Sequence, residues 1–201
     1  GQEVADTIAR VTAFDRQAGQ ILTLPAGECG FGYRASRFKD SPDRYVVLSV
    51  TFQLPLGSLS GPVRYPELAG RLGIDLGERA AMSDVRTAVL DLRRAEGMVL
   101  DAADHDTWSV GSFFTNPIVD PDRIPEGAPQ WQQPGGGVKT SAAWLVERAG
   151  FPRGYPGAGA ARLSSRHTLA ITNQGGATAA DVVDLARSIR SGVRDHFGIT
   201  L

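Results

Sequence analysis

Cysteine is nearly missing from this sequence. Cys29 stands alone among 201 residues, so no intrachain disulfide can form. That suits a reducing compartment and predicts a cytoplasmic protein whose one thiol is a small buried hydrophobe. Net charge is equally scarce. Twenty-one Lys and Arg against 22 Asp and Glu leave −1, which gives no electrostatic footprint for a nucleic-acid partner. No apolar run approaches the roughly 18 residues that would suggest a membrane span. The opening GQEVADTIAR has neither the basic stretch nor the apolar stretch of a signal peptide. The three histidines, His105, His167 and His196, share no metal-ligand spacing, so no metal is expected. Glycine is what the chain has in quantity. With 24 glycines and 12 prolines, much of it is expected to be loop, and loops carry sites.

Residues 7–14 read as a strand, DRQAGQ as its turn, and residues 20–24 as the returning strand of a hairpin. Residues 45–54 alternate, with Val46, Leu48, Val50, Phe52 and Leu54 on one side, which predicts a strand with one well-buried face. Ser83 is placed to cap a helix whose apolar stripe is Val85, Ala88, Val89 and Leu92. Residues 97–137 read as a long region rich in Gly, Pro and Asp. A second helix is expected at 141–149, with Ala142, Leu145, Val146 and Ala149 inward and Gly150 as its stop. A short strand follows at 168–172. Thr178 caps a last helix with the stripe Val182, Leu185, Ala186, Ile189, Val193 and Phe197. Gly198 ends that helix, and the final ITL starts something extended. A boundary near residue 100 divides a β-rich part from an α+β part.

Several motifs miss their templates. GAGAAR (157–162) lacks the third glycine of a dinucleotide fingerprint. In GGGVKTS (135–141), Val138 separates glycine from lysine, so it is no P-loop. It reads better as a flexible lead into a helix, with Lys139 near the helix start as an anion contact. Ser112 lies in Gly-Ser-Phe rather than in a nucleophile elbow, which weakens any hydrolase reading. Its surroundings, SVGSFFTNP (109–117), fit neither strand alternation nor helical spacing. ECGFGYRASRFK (28–39) is more informative. Two glycines flank Phe31, and Tyr33, Arg34, Arg37 and Lys39 follow. Glycine permits close approach of backbone to a ligand, and arginine offers a planar fork to carboxylate or phosphate. The segment is either an anion site or a turn with a solvated basic rim.

Five ordered segments carry a resemblance: CGFGYRASRFK, GPVRYPEL, GSFFTNP, SAAWLVERAGF and GGATAADVVDLARSIRSGVRDHFGITL. Together they resemble the UDP-N-acetylenolpyruvoylglucosamine reductases over essentially the whole chain. The resemblance implies an α+β fold. Residues 1–100 would form the later part of a two-lobed FAD-binding domain of the PCMH/VAO type, and residues 101–201 an α+β substrate-binding domain. It implies a cytoplasmic flavoenzyme of peptidoglycan synthesis, with FAD and NADPH as cofactors and UDP-N-acetylglucosamine enolpyruvate as substrate. Neither nucleic acid nor membrane is an expected partner, and a monomer is favoured. The resemblance also implies the chemistry: hydride would pass from the flavin to C3 of the enolpyruvyl group, and a serine would protonate C2.

Residue by residue, the family's serine matches Ser112 and its carboxylate-binding arginine matches Arg34, with Tyr33 beside it. Tyr65 matches the loop tyrosine over the diphosphate, and Asn116 a substrate contact. Lys139 and His167 fall where the family lines its nucleotide pocket, and Trp131, a further expected substrate contact, stands where some members carry a tyrosine. Gly1 and Gly111 fall on the cofactor side, and Phe113 and Phe114 would wall the pocket. Three departures are expected to matter. Glu96 stands where many members have lysine, which moves a diphosphate contact to Arg93 or Arg94. The family's late glutamate would follow Leu201, and its pyrophosphate-binding loops would precede Gly1, so these residues read as part of a longer enzyme. A catalytically silent nucleotide-sugar binding module and another FAD oxidoreductase of the same superfamily are the rival readings.

Overall fold

The computed structural model describes residues 3–32, 34–133 and 135–201, so Gly1 and Tyr33 lie outside the described residues. Two compact units divide the chain, residues 1–85 and 86–201.

In the first unit, β1 (Ile8–Asp15) and β2 (Gln20–Pro25) form the expected antiparallel hairpin, in register from Arg10↔Pro25 to Asp15↔Gln20. Asp15 makes its turn. The carboxylate is 2% exposed and accepts from the Gln17 and Ala18 amides. It also accepts from the Arg44 guanidinium, with Nη2 at 2.8 Å. The Arg44 bond, helped by the two amides and opposed by burial, holds the Asp15 carboxyl below its ordinary value. A depressed folded value stabilises the fold above the unfolded value of about 3.9, and that contribution is lost as pH falls through the folded value. Asp15→Asn is therefore expected to lower the melting temperature most at neutral pH, with the gap closing on acidification. Thermal melts of both proteins from about pH 7 to about pH 2 test this, and a constant gap refutes it.

After a short helix, α1 (Arg37–Asp40), whose first turn is capped by the Ser36 hydroxyl, β3 (Tyr45–Phe52) pairs with the other side of β1. The sheet order is β2-β1-β3. The expected buried face of β3 is not found: Val46, Leu48, Val50, Phe52 and Leu54 are 38–66% exposed. β3 is the sheet edge, and the small core of this unit gathers elsewhere, around Val11, Leu24 and Cys29 with Ile8, Leu22, Phe31 and Phe38. Alternation recorded a face suited to burial, but no described element of this unit covers it. Cys29 is buried as expected. Its thiol donates to the Pro25 carbonyl, and burial pushes its pKa up.

Further on, α2 (Pro66–Leu72) is an excursion closed by backbone pairing of Ser60 with Ala80 and of Val63 with Glu78 and Gly77. The chain then enters α3 (Met82–Ala95), which begins before the expected cap. Ser83 lies inside its first turn, bonded to the Asp84 carboxylate. Only Ala88 of the predicted stripe is fully buried; Val85, Val89 and Leu92 are half-buried.

Among the described residues, the second unit holds most of α3, two small antiparallel sheets and two further α-helices. Its strands and helices after α3 are β4 (Ser109–Ser112), β5 (Ile118–Val119), β6 (Gln130–Gln132), β7 (Val138–Thr140), α4 (Ala142–Arg148), β8 (Ala161–Leu163), β9 (Ala170–Asn173) and α5 (Ala179–Phe197). The sheet orders are β4-β9-β8 and β5-β7-β6. Three of these strands fall in the stretch read as loop. At two to four residues each, they are too short for a period of two to show. Both helices follow the sequence closely. Ser141 caps α4, and Thr178 and Asp181 form a reciprocal capping box on α5, which Gly198 ends in a left-handed turn. Their apolar stripes meet β8 and β9 in one core of Leu145, Val146, Leu163, Ile171, Ile189 and Val193. The final ITL forms no strand. Ile199, 1% exposed, joins this core instead.

Candidate active site

Ser112 ends β4, the edge strand beside β9. Opposite partners run Ser109↔Thr172 and then Ser112↔Ala170, so β4 carries one residue more than β9 over that interval. This is a bulge. Gly111 within it has φ 75°, a left-handed conformation natural to glycine. Nothing lies within 4 Å of where its Cβ would be, so backbone conformation rather than crowding asks for glycine. The Gly111 amide donates to the Ser109 hydroxyl at 3.2 Å. Ser112, at the end of the strand, is exposed. The first four residues of SVGSFFTNP are therefore a strand after all, exposed at Val110 and Ser112, and residues 113–117 lie beyond its end.

The two phenylalanines separate. Phe114 is buried in the core, and Phe113 is 43% exposed, with ring centroids 5.3 Å apart. Of the pair expected to wall a pocket, only Phe113 is free to do so. A cleft of about 400 Å³ opens beside the bulge, lined by Met98, Leu100, Thr107, Trp108, Ser109 and Gly111.

His167 lies in the turn between β8 and β9. Its Nδ1 accepts from the Leu169 amide at 3.2 Å, and the Leu169 carbonyl accepts from the Phe113 amide at 2.8 Å. Two hydrogen bonds thus tie the His167 ring to the residue after Ser112. Asn116 plays a structural part the sequence did not disclose. Its Oδ1 accepts from the Ala142 amide at 2.9 Å, fixing the first turn of α4.

Lys139 is not at a helix start. It sits in β7, the central strand of its sheet, directly opposite Ile118 on β5 and Trp131 on β6. Its Nζ lies 5.7 Å from the Trp131 ring centroid, within cation–π range. Val138 and Thr140, its strand neighbours, are fully buried, so Lys139 occupies the other face, where Ile118 and Trp131 are exposed. The row offers an indole face and an ammonium together.

The first unit carries Arg34 and Tyr65. Arg34 has φ 57°, the one positive value among described residues other than glycine. That conformation costs about 1–2 kcal/mol and is characteristic of functional turns. Gly32 and Ala35 exchange both backbone hydrogen bonds across it, and Lys39 Nζ donates to the Arg34 carbonyl. The Arg34 side chain is exposed and makes no ion pair among the described residues. Tyr65, 55% exposed, occupies the N-cap position of α2, with Pro66 at N1. Arg94, one of the two arginines considered in place of Glu96, is paired with Asp91 at 3.0 Å. A cluster of Asp104, Asp106, Ser164, Ser165 and Arg166 went unnoticed in the sequence. Its two halves lie about sixty residues apart, and no local spacing joins them.

Residues 102–201 match the family model described as UDP-N-acetylenolpyruvoylglucosamine reductase, C-terminal domain. The UDP-N-acetylenolpyruvoylglucosamine reductase of Cutibacterium acnes is 56% identical over 203 residues, covering 100% of this chain and 54% of that protein. The Thermobifida fusca enzyme of the same name is 53% identical over 214 residues, covering 100% of this chain and 60% of that protein. The chain thus spans little more than half the length of the curated relatives it matches. A crystal structure of UDP-N-acetylenolpyruvylglucosamine reductase from Thermus caldophilus shares the fold at TM-score 0.51 and 24% identity, over 93% of this chain and 50% of that one. Through residues 102–201, the chain belongs to the UDP-N-acetylenolpyruvoylglucosamine reductase family.

Proposed function

We propose that the chain serves the NADPH-driven, FAD-dependent reduction of UDP-N-acetylglucosamine enolpyruvate to UDP-N-acetylmuramate in peptidoglycan synthesis. The observation that carries this reading is Ser112, exposed beside the Gly111 bulge inside the family-matched domain. Reduction of an enol ether at its terminal carbon leaves negative charge at C2, shared with the carboxylate. A hydroxyl held against one face can protonate that carbon, because the carbanion is far more basic than an alkoxide. Ser112 Oγ is assigned that proton. On resemblance alone, Arg34 is assigned the substrate carboxylate, where a guanidinium fork would stabilise growing charge. His167 would present its Nε2–H, and Asn116 its NH2, as neutral donors. The Trp131–Lys139 row would take the uridine ring and a phosphate, and Tyr65 the diphosphate. Tyr33 and Gly1 keep their expected roles on resemblance alone.

The flavin, when bound, supplies hydride chemistry. Its pyrophosphate needs clustered backbone N–H groups, as at a helix N-terminus. Among the described residues of the first unit, α1 and α2 span only four and seven residues. The start of α3 gives its Met82 amide to the Ser58 carbonyl. These residues do not cradle a pyrophosphate, so no step is derived through the flavin. The assignment of residues 1–100 to a two-lobed FAD-binding domain, with Gly111 on its cofactor side, is part of the proposal. No helix among the described residues is long and apolar enough to cross a membrane.

The missing cradle beside a formed Trp131–Lys139 row favours a second reading, a nucleotide-sugar binding module without catalysis. The visible spectrum of the purified protein, with titration of UDP-N-acetylglucosamine enolpyruvate, separates the two. A stoichiometric flavin spectrum with substrate-dependent NADPH oxidation supports the reductase. Substrate binding by a colourless protein that stays inactive with added FAD leaves the binding module. No binding overturns both. Within the reductase reading, Tyr65→Phe is expected to raise KM with little change in kcat, through a hydrogen bond worth about 0.5–1.5 kcal/mol. A strong fall in kcat at unaltered KM would move Tyr65 into the chemical step.

A further inference from the structure

We infer that Asp106 is a positioning residue: through Ser164 it sets the turn that carries His167 and so the tautomer that His167 presents. Asp106 belongs to the one-turn helix His105–Thr107, where Thr107 is buried and its hydroxyl donates to the Asp104 carbonyl at 2.7 Å. From this anchored turn its carboxylate reaches across to residues 164–166. Oδ2 accepts from the Ser164 hydroxyl at 2.9 Å and the Ser165 hydroxyl at 3.1 Å, and Oδ1 accepts from the Ser165 amide at 3.0 Å. Arg166 pairs with Asp104 and lies 3.6 Å from Asp106 Oδ2 through Nε.

Ser164 is the link. It is 1% exposed, and its Oγ accepts from the amides of Arg166 at 3.0 Å and His167 at 3.1 Å. A hydroxyl has one proton to give, and Asp106 takes it, which turns the oxygen lone pairs toward those two amides. The His167 backbone is thereby fixed. Its Nδ1 then accepts from the Leu169 amide, which requires the neutral ring with its proton on Nε2. Leu169 in turn accepts from Phe113, the residue after Ser112. A continuous path runs from the Asp106 carboxylate to the strand that holds Ser112. Charge-assisted bonds are the strong members of such a path, so removing the carboxylate loosens its far end.

That the His167 ring then serves nucleotide binding rests on the proposed function; the positioning of its tautomer does not. The test uses the 201-residue chain with ¹⁵N-labelled histidine. Long-range ¹H–¹⁵N spectra read the His167 ring, and calorimetry reads the affinity for UDP. Wild type is expected to show the Nε2–H tautomer. Asp106→Asn should move the ring shifts toward a tautomer average and weaken UDP binding by about 2- to 10-fold, one hydrogen bond's worth. Ser164→Ala keeps the buried volume and should do the same, so it reports even if Asp106→Asn fails to fold. Ring shifts unchanged in the variants, with UDP affinity within about two-fold of wild type, overturn the inference. If wild type does not bind UDP and the ring shifts still move, the positioning role holds and the nucleotide reading falls.

Discussion

Within the reductase reading, and in flavin-loaded protein, Ser112→Ala is expected to leave reduction of the flavin by NADPH unchanged and to lower turnover of the enolpyruvyl substrate by roughly 10²–10⁴-fold, the usual effect of removing a general acid. The substitution isolates chemistry from folding because of where Ser112 sits. It is exposed, no other side chain packs its hydroxyl into a core, and its pairing with Ala170 runs through the backbone. The left-handed conformation that demands a special residue is at Gly111, one position earlier, and is untouched. Alanine therefore keeps the bulge and removes only the proton. Rapid-mixing measurement of the two half-reactions separates them, since only the oxidative half uses substrate. Steady-state turnover within about two-fold of wild type would remove Ser112 from the chemical step.

Gly192→Ala is expected to destabilise the second unit by about 1–3 kcal/mol, although helix propensity alone argues for a gain of about 1 kcal/mol. Gly192 lies within α5, where alanine would ordinarily be the better residue. A Cβ built there meets the Phe151 ring at 2.4 and 2.5 Å, well inside contact distance. Phe151 is 9% exposed and stacked edge-on with Tyr155 at 4.9 Å, so its ring has little room to withdraw. The clash is set against a crowded core and the propensity gain is small, so the clash wins. Chemical denaturation of Gly192→Ala, Phe151→Leu and the double variant measures it. The double variant should be more stable than the two single effects summed, because the smaller side chain relieves the overlap. Gly192→Ala as stable as wild type would mean that the ring yields without cost.

Local chemistry in the sequence set the parts that need only a few neighbouring residues. The β1–β2 hairpin, both capped helices of the second unit and their apolar stripes follow from turn residues, caps and a period of 3.6. So does the burial of Cys29, an apolar side chain beside a strand end. The five ordered segments identified the family, and Ser112, Arg34 and Lys139 could be singled out before any geometry was known.

Tertiary structure decided what depends on partners distant in the chain. β3 alternates as a buried strand does, yet its side chains are exposed, because burial requires a covering layer and alternation only permits one. Ser112 stands opposite Ala170 because β4 holds one residue more than β9, a comparison between strands that neither strand records alone. Lys139 lies opposite Trp131 because a sheet formed where glycines suggested a loop. Phe113 and Phe114, adjacent and identical in type, lie one at the surface and one in the core, a division that their local sequence does not record. Asp106 reached Ser164 across fifty-eight residues because a carboxylate and a hydroxyl can bond only once the fold has brought them within 3 Å.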